Sequence, residues 1–185
     1  LATLAAGTWY LAEIASRHAA GNAAPKISHE PDYFVERFAL TRLNARGDPV
    51  FKMSAERLDH FPDDDSTTFV RPLLVSLDPA NPLVTLRADR GMSTTQGLET
   101  HLYDNVLLTR AATGGATANP ELRIESDYML LLSEEDVARS DRPVRITYGD
   151  SVLTGVGMEF NNGSRRLEVK SQVRGRWVAP PDKNG

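Results

Sequence analysis

The best place for a metal ion in this chain is the run Asp63-Asp64-Asp65, which stands beside His60. Hard cations favour clustered carboxylates. Neighbouring residues on extended backbone point in alternate directions, so three adjacent aspartates seldom converge on one ion. The run reads instead as a solvated turn. The four histidines are His18, His29, His60 and His101, and no two stand at ligand spacing. The chain has no cysteine, which removes thiolate ligands, a thiol nucleophile and any disulfide. No serine sits in a GxSxG elbow, and neither GxGxxG nor GxxxxGK occurs. Carboxylate pairs of the glycosidase kind lie far apart along a chain, and no spacing here favours one. The reading is therefore a protein that is not an enzyme, with no catalytic residue, metal or cofactor. The large apolar side chains remain. Phe38, Phe51, Phe69, Tyr128, Phe160 and Trp177 are expected to share the inside of a roll. There they form either an ordinary core or a wall for alkyl chains. Such a wall works by area alone, at about 0.8 kcal/mol per buried CH₂, and needs no catalytic motif.

The elements that would position them are strands. Val50-Phe51-Lys52-Met53-Ser54-Ala55-Glu56-Arg57 returns by residue type as Leu83-Val84-Thr85-Leu86-Arg87-Ala88-Asp89-Arg90. A looser third copy is Pro143-Val144-Arg145-Ile146-Thr147-Tyr148-Gly149-Asp150. Each copy alternates and is expected to stop at a polar turn. Phe51, Met53 and Ala55 then share an apolar wall with Val84, Leu86 and Ala88, the closing acid and Arg standing at its rim. Further strands are expected at Tyr33–Leu43, Phe69–Leu77, Leu98–Ala111, Leu122–Leu132, Val144–Tyr148, Ser151–Phe160 and Arg165–Val178. On Phe69–Leu77 one face carries Phe69, Leu73, Val75 and Leu77. Pro72 inside it lacks an N–H and marks an edge or a bulge. Ser133–Ala138 reads as one helical turn with Ser133 as N-cap. The total is about ten short strands in an antiparallel sandwich or roll.

The 185 residues suffice for one domain plus a tail, and 41% hydrophobic with 25% charged residues is ordinary for a globular domain. A net charge of −4 leaves no nucleic-acid footprint. Residues 1–16 are mostly apolar, with Trp9 and Tyr10 suited to an interface belt, and read as the remnant of an N-terminal membrane anchor. Residues 17–31 read as a linker, 32–179 as the strand domain, and 180–185 as a polar tail. The last strand is a plausible docking edge for an added strand.

The ordered set Pro31-Asp32-Tyr33-Phe34, Asn44-Ala45-Arg46-Gly47, Ser54 through Thr67, Pro72-Leu73-Leu74, Ala88-Asp89-Arg90-Gly91, Leu107-Leu108-Thr109-Arg110 and Tyr148-Gly149-Asp150 resembles the LptC family of lipopolysaccharide export proteins. The resemblance implies a twisted antiparallel β-jellyroll behind a transmembrane helix, single-pass in the inner membrane with its bulk in the periplasm. It implies receipt of lipopolysaccharide from the inner-membrane ABC transporter complex, which meets the N-terminal helix and strand edge. Delivery goes to the periplasmic bridge protein LptA at the C-terminal strand edge. It places Phe38, Phe69, Leu167 and Trp177 against lipid, to which the apolar-wall reading adds Phe51, and Gly149 in a turn tied to complex assembly. Trp177 stands where a Tyr is also found. The alternative is a β-roll tether that binds no lipid and joins membrane to partner by strand addition.

Overall fold

The computed structural model describes residues 29–77, 82–94, 98–114, 119–135, 137–161, 164 and 166–178. The chain divides into Leu1–Glu30 and Pro31–Gly185. The anchor read into residues 1–16, most of the linker and the 180–185 tail lie outside the described residues. Among the described residues no helix is long and apolar enough to cross a membrane.

Pro31–Gly185 is built of strands. They are β1 (Tyr33–Leu43), β2 (Pro49–Phe61), β3 (Ser66–Val70), β4 (Leu73–Ser76), β5 (Val84–Arg87) and β6 (Arg90–Thr94). After these come β7 (Glu99–Arg110), β8 (Leu122–Leu132), β9 (Val137–Tyr148), β10 (Ser151–Asn161) and β11 (Arg166–Arg176). All pairings are antiparallel. β3 and β4 are halves of one strand, for both pair with β2 in a single register, Arg57 with Val70 and Phe51 with Ser76. β5 and β6 are likewise halves of one strand against them. With those halves joined, the chain is a plain meander in which each strand pairs with its sequence neighbours. β1 pairs only with β2 and β11 only with β10, so each has one open edge.

One line of backbone irregularities crosses every strand. Arg37, Arg71, Asp104, Asn105, Gly157 and Gln172 all take positive φ. The partner registers shift opposite Asp104–Asn105 and on through β8, β9, β10 and β11. Residues facing inward recur every second position within a strand. Across this line the interval widens: Ala55 to Leu58, Phe69 to Pro72 and Ala88 to Gly91 span three positions, and Leu102 to Val106 spans four. Such insertions bend strands and let them pass from one sheet to another. The line is therefore a crease, and each long strand contributes one half to each of two facing walls.

Charged groups hold the crease from outside. Arg71 Nη1 donates to Glu56 Oε1 at 2.9 Å, and Arg90 Nε to Asp104 Oδ2 at 2.7 Å. Asn105 Nδ2 donates to Asp89 Oδ2 at 2.6 Å. Arg71 N donates to Asp89 O and Asp89 N to Asp104 O, carrying the ladder through the bend. These pairs are exposed, so they serve geometry more than stability.

The core lies between the walls. Leu102, Ile124, Met129 and Met158 have no exposed surface, and Val106 has 1%. Leu86, Leu108, Val144, Ile146 and Phe160 belong to the same cluster. It is thickest under β7–β10 and thins toward β1, which is exposed except at Phe38.

Four sequence expectations need correction. The repeat does not end at polar turns in its first two copies, because β2 runs on through Glu56-Arg57. Those acids stand at the crease, opposite the rim predicted for them. Ser133–Glu135 is a turn, Asp136 is outside the described residues, and β9 begins at Val137. Burial of Val137 and Ala138 against β8 and β10 outweighs the local helix signal. Leu73 is exposed while Leu74 packs on the core, because the break at Arg71-Pro72 reverses the alternation. Pro72 marks that break and is buried in the middle of the sheet, which keeps the bulge reading and discards the edge one. Tyr128 faces outward, since the shift after Ser126 makes Met129 the inward residue.

Candidate functional site

The strand registers align the inward side chains into rows that cross the whole sheet. On one side of the crease runs the row Leu40, Met53, Leu74, Leu86, Leu108, Ile124, Ile146 and Leu153, every member paired across strands with the next. The row beside the crease is Phe38, Ala55, Pro72, Ala88, Val106, Ser126, Val144 and Gly155, all buried except the half-buried Phe38. The first two repeat copies thus lie on identical rows. Phe51 shares a row with Val84, Met53 with Leu86, and Ala55 with Ala88. The third copy supplies Tyr148, Ile146 and Val144 to those rows in reverse order, because β9 runs the other way.

Glycines let the walls close. A Cβ on Gly91 would meet Leu102 Cδ2 and Pro72 Cγ at 3.2 Å and Phe69 Cδ2 at 3.4 Å. The Phe69 ring occupies the space this side chain would fill. A Cβ on Gly155 would lie 2.4 Å from Val169 Cγ1. Buried Ser126 and Ser140 pair hydroxyls at 3.1 Å, and Ser126 also donates to Pro143 O at 3.1 Å. That pair satisfies the only hydroxyls of these inward rows at the β8–β9 bend.

The predicted contact residues share this inward face without forming one pocket. Phe69 is 7% exposed and stacks on Phe38 at 6.3 Å between centroids, so it belongs to a filled core. Phe51 is half-buried on the row farthest from the crease. Leu167 is half-buried against the far end of the core, paired with Phe160. Trp177 is 71% exposed and stacks on Tyr148 at 6.5 Å. Gly149 turns β9 into β10 at φ 55, and its N–H donates to Glu121 O at 3.1 Å. Tyr128, expected inside, joins an outer cluster in which its hydroxyl bonds His101 Nδ1 at 2.8 Å and its ring packs on Tyr103 at 5.4 Å. Burial there raises the Tyr128 pKa.

At the N-terminal end, His60 stands between two carboxylates. Its Nδ1 lies 2.7 Å from Asp32 Oδ1, its Nε2 lies 3.3 Å from Asp65 Oδ1, and Tyr33 stacks on its ring at 4.7 Å. The Asp32 bond foremost raises the His60 pKa above its ordinary 6.5, and the same bond lowers that of Asp32 below 3.8. This ties the start of β1 to the β2–β3 turn. The aspartate run thus works as a polar clasp with His60, through Asp65.

Two residues that sequence reasoning passed over stand on the row farthest from the crease. Arg42 pairs with Phe51, and Arg110 lies between Val84 and Leu122. The period-two run Val106, Leu108, Arg110 was the available signal. At the crease, a cavity of about 710 Å³ is lined by the outward Arg87, Leu107, Glu125, Arg145, Thr154 and Arg174 together with Val106, Ser126, Val144 and Gly155 of the crease row.

Comparison with known proteins puts a family beside this geometry. A family profile described as "LptC: Lipopolysaccharide-assembly, LptC-related" matches residues 1–178. No curated protein sequence matches the chain. Among solved structures, the fold resembles LptH of Pseudomonas aeruginosa, described as the LptA homologous periplasmic component of the conserved lipopolysaccharide transport device. The TM-score is 0.55 at 3% identity, covering 70% of this chain and 95% of that one. At that identity the likeness speaks to fold alone.

Proposed function

The chain belongs to the LptC family of lipopolysaccharide-assembly proteins, and from that premise we propose that its β-jellyroll carries lipopolysaccharide across the space between two partners. In this reading residues 1–16 anchor it in the inner membrane, 17–31 form a linker, and residues 32–179 stand in the periplasm. It receives lipopolysaccharide from the inner-membrane ABC transporter complex at its N-terminal segment and β1. It delivers to the periplasmic bridge protein LptA at β11. Phe38, Phe51, Phe69, Leu167 and Trp177 are the alkyl-chain contacts, and Gly149 keeps the turn that complex assembly uses. The roll holds no nucleotide motif, so a partner supplies the energy.

One observation carries the reading. The inward row from Leu40 to Leu153 runs through the sheet from β1 to β10 and pairs on into β11 at Gly175; the outer strands are uncovered, with Leu40 of β1 53% and Val173 of β11 51% exposed. Such rows form a continuous apolar path whose two ends coincide with the two open sheet edges. The likeness in fold to LptH, described as a periplasmic component of the lipopolysaccharide transport device, is in keeping with this reading. The crease side is full, so a chain enters from the row farthest from the crease, and the walls part to admit it further. A photo-crosslinking side chain at Phe51 in active membranes should capture lipopolysaccharide, more than one at Phe69, and one at the outward Thr85 should capture none. No lipid adduct at any inward position would end the proposal.

The filled core favours a second reading, a lipid-free tether that works only by strand addition. It predicts partner cross-links along β11 with no lipid adduct at Phe51 or Leu167.

A further inference from the structure

β7 changes character once along its inward face. Leu102, Val106 and Leu108 are buried and apolar, and the next inward residue, Arg110, is a guanidinium. Its row neighbours are Val84 and the 5% exposed Leu122. Arg110 is itself half-buried, yet among the described residues it has no hydrogen bond, ion pair or ring partner. Among the described residues, exposed arginines such as Arg87 and Arg145 also stand without a carboxylate, but the other half-buried arginines, Arg57, Arg123 and Arg139, each have one within 4.0 Å. A half-buried cation loses hydration without compensation unless a ligand supplies the anion. The same row carries the exposed Arg42 beside Phe51, and among the described residues it too has no carboxylate partner. The row thus reads cation, aromatic, hydroxyl, aliphatic, cation: Arg42, Phe51, Ser76, Val84, Arg110. It borders the apolar rows on the side away from the crease.

We propose that Arg110 binds a phosphate of an anionic amphiphile whose alkyl chains lie on the apolar rows between it and the crease, while Arg42, four strands away on the same row, meets a second anionic group of that headgroup. This rests on the lipid-carrying reading and adds the headgroup to it. Guanidinium is the side chain suited to phosphate, because its planar fork donates two parallel bonds to two oxygens. The placement also orders the ligand: chains toward the crease, phosphate toward water. An apolar wall alone cannot set that polarity or choose among lipids of equal chain length. Arg110 would do both.

The experiment measures binding of the purified chain to detergent-dispersed lipid A with its phosphates intact and to the same lipid dephosphorylated. The variants are Arg110→Gln, Arg110→Lys and Arg42→Gln, with thermal unfolding checking that each is folded. The wild type should prefer the phosphorylated lipid roughly tenfold. Arg110→Gln should abolish most of that preference while leaving the dephosphorylated lipid's affinity unchanged. Arg110→Lys should keep part of it, and Arg42→Gln should lose a smaller part. Equal affinity of the wild type for both lipids overturns the headgroup site while the carrying reading stands. The same preference in Arg110→Gln and wild type overturns it too. Binding of neither lipid overturns both. Inorganic phosphate alone shifting the Arg110 Nε–H resonance at millimolar concentration, with no preference between the lipids, would assign a free-anion site and overturn the headgroup assignment.

Discussion

A methyl group at position 155 has nowhere to go. Its carbon would stand 2.4 Å from Val169 Cγ1 and 2.9 Å from Ser171 O. The backbone oxygen cannot retreat as a side-chain tip can. Gly155→Ala should therefore destabilise the fold by about 1–3 kcal/mol, as overpacking does. Urea unfolding will read it, and Val169→Ala in the same chain should restore part of the loss and no more. The His60 clasp gives a pH dependence of known sign. His60 has a folded pKa above its ordinary 6.5, so its contribution is fully present below 6.5 and fades as pH rises through the raised value. Asp32 has a folded pKa below 3.8, so its contribution is present above 3.8 and is lost as pH falls through the lowered value. The clasp is thus strongest between those limits. Amide exchange at Tyr33–Val35, corrected for its intrinsic rate, should quicken as pH rises past 6.5, and His60→Gln should flatten that change. The inward face could be read from the sequence for Phe51, Met53 and Ala55, which lie on one uninterrupted half-strand. That reading failed at Tyr128, where one inserted residue turned the face over.

At the scale of the element, stability and exposure separate the middle strands from the outer ones. Met158 on β10 is fully buried, and Met158→Ala should cost about 2–5 kcal/mol in urea unfolding. Trp177, beyond the end of β11, is 71% exposed, and Trp177→Ala should move stability by less than about 0.5 kcal/mol. A large loss with Trp177→Ala would mean that its stack on Tyr148 closes the core. Strand existence was legible because alternation is a local property. The β8 bounds Leu122–Leu132 follow from it directly. The crease was not legible. Positive φ at Arg37, Arg71 and Gln172 carries no glycine signal, and a bulge erases itself from a period-two reading by shifting it. Pro72, Asp104-Asn105 and Gly157 were the residues that could mark the line. Val137–Arg142 hid for another reason: Glu134, Glu135 and Asp136 imitate a helix start, and the pairing that overrides them is distant in sequence.

At the scale of the molecule, the meander makes each strand depend on its immediate neighbours. β1 is the outermost and the most exposed, so a chain lacking residues 1–47 should keep its sheet. Its circular dichroism should remain β-type, with cooperative urea unfolding at a lower midpoint and smaller m-value. Loss of the cooperative transition would show that β1 is required for the core. The crease also governs what can be added at the other end. β11 presents a free edge along both walls, and that edge carries its own break at Gln172. An incoming straight strand would keep step with one wall and fall out of phase with the other. Only a strand with an extra residue at the matching place can follow the whole edge. The crease therefore acts as a vernier: it fixes the position of a joining strand to a single residue and passes over sequences, however apolar, that lack the corresponding kink.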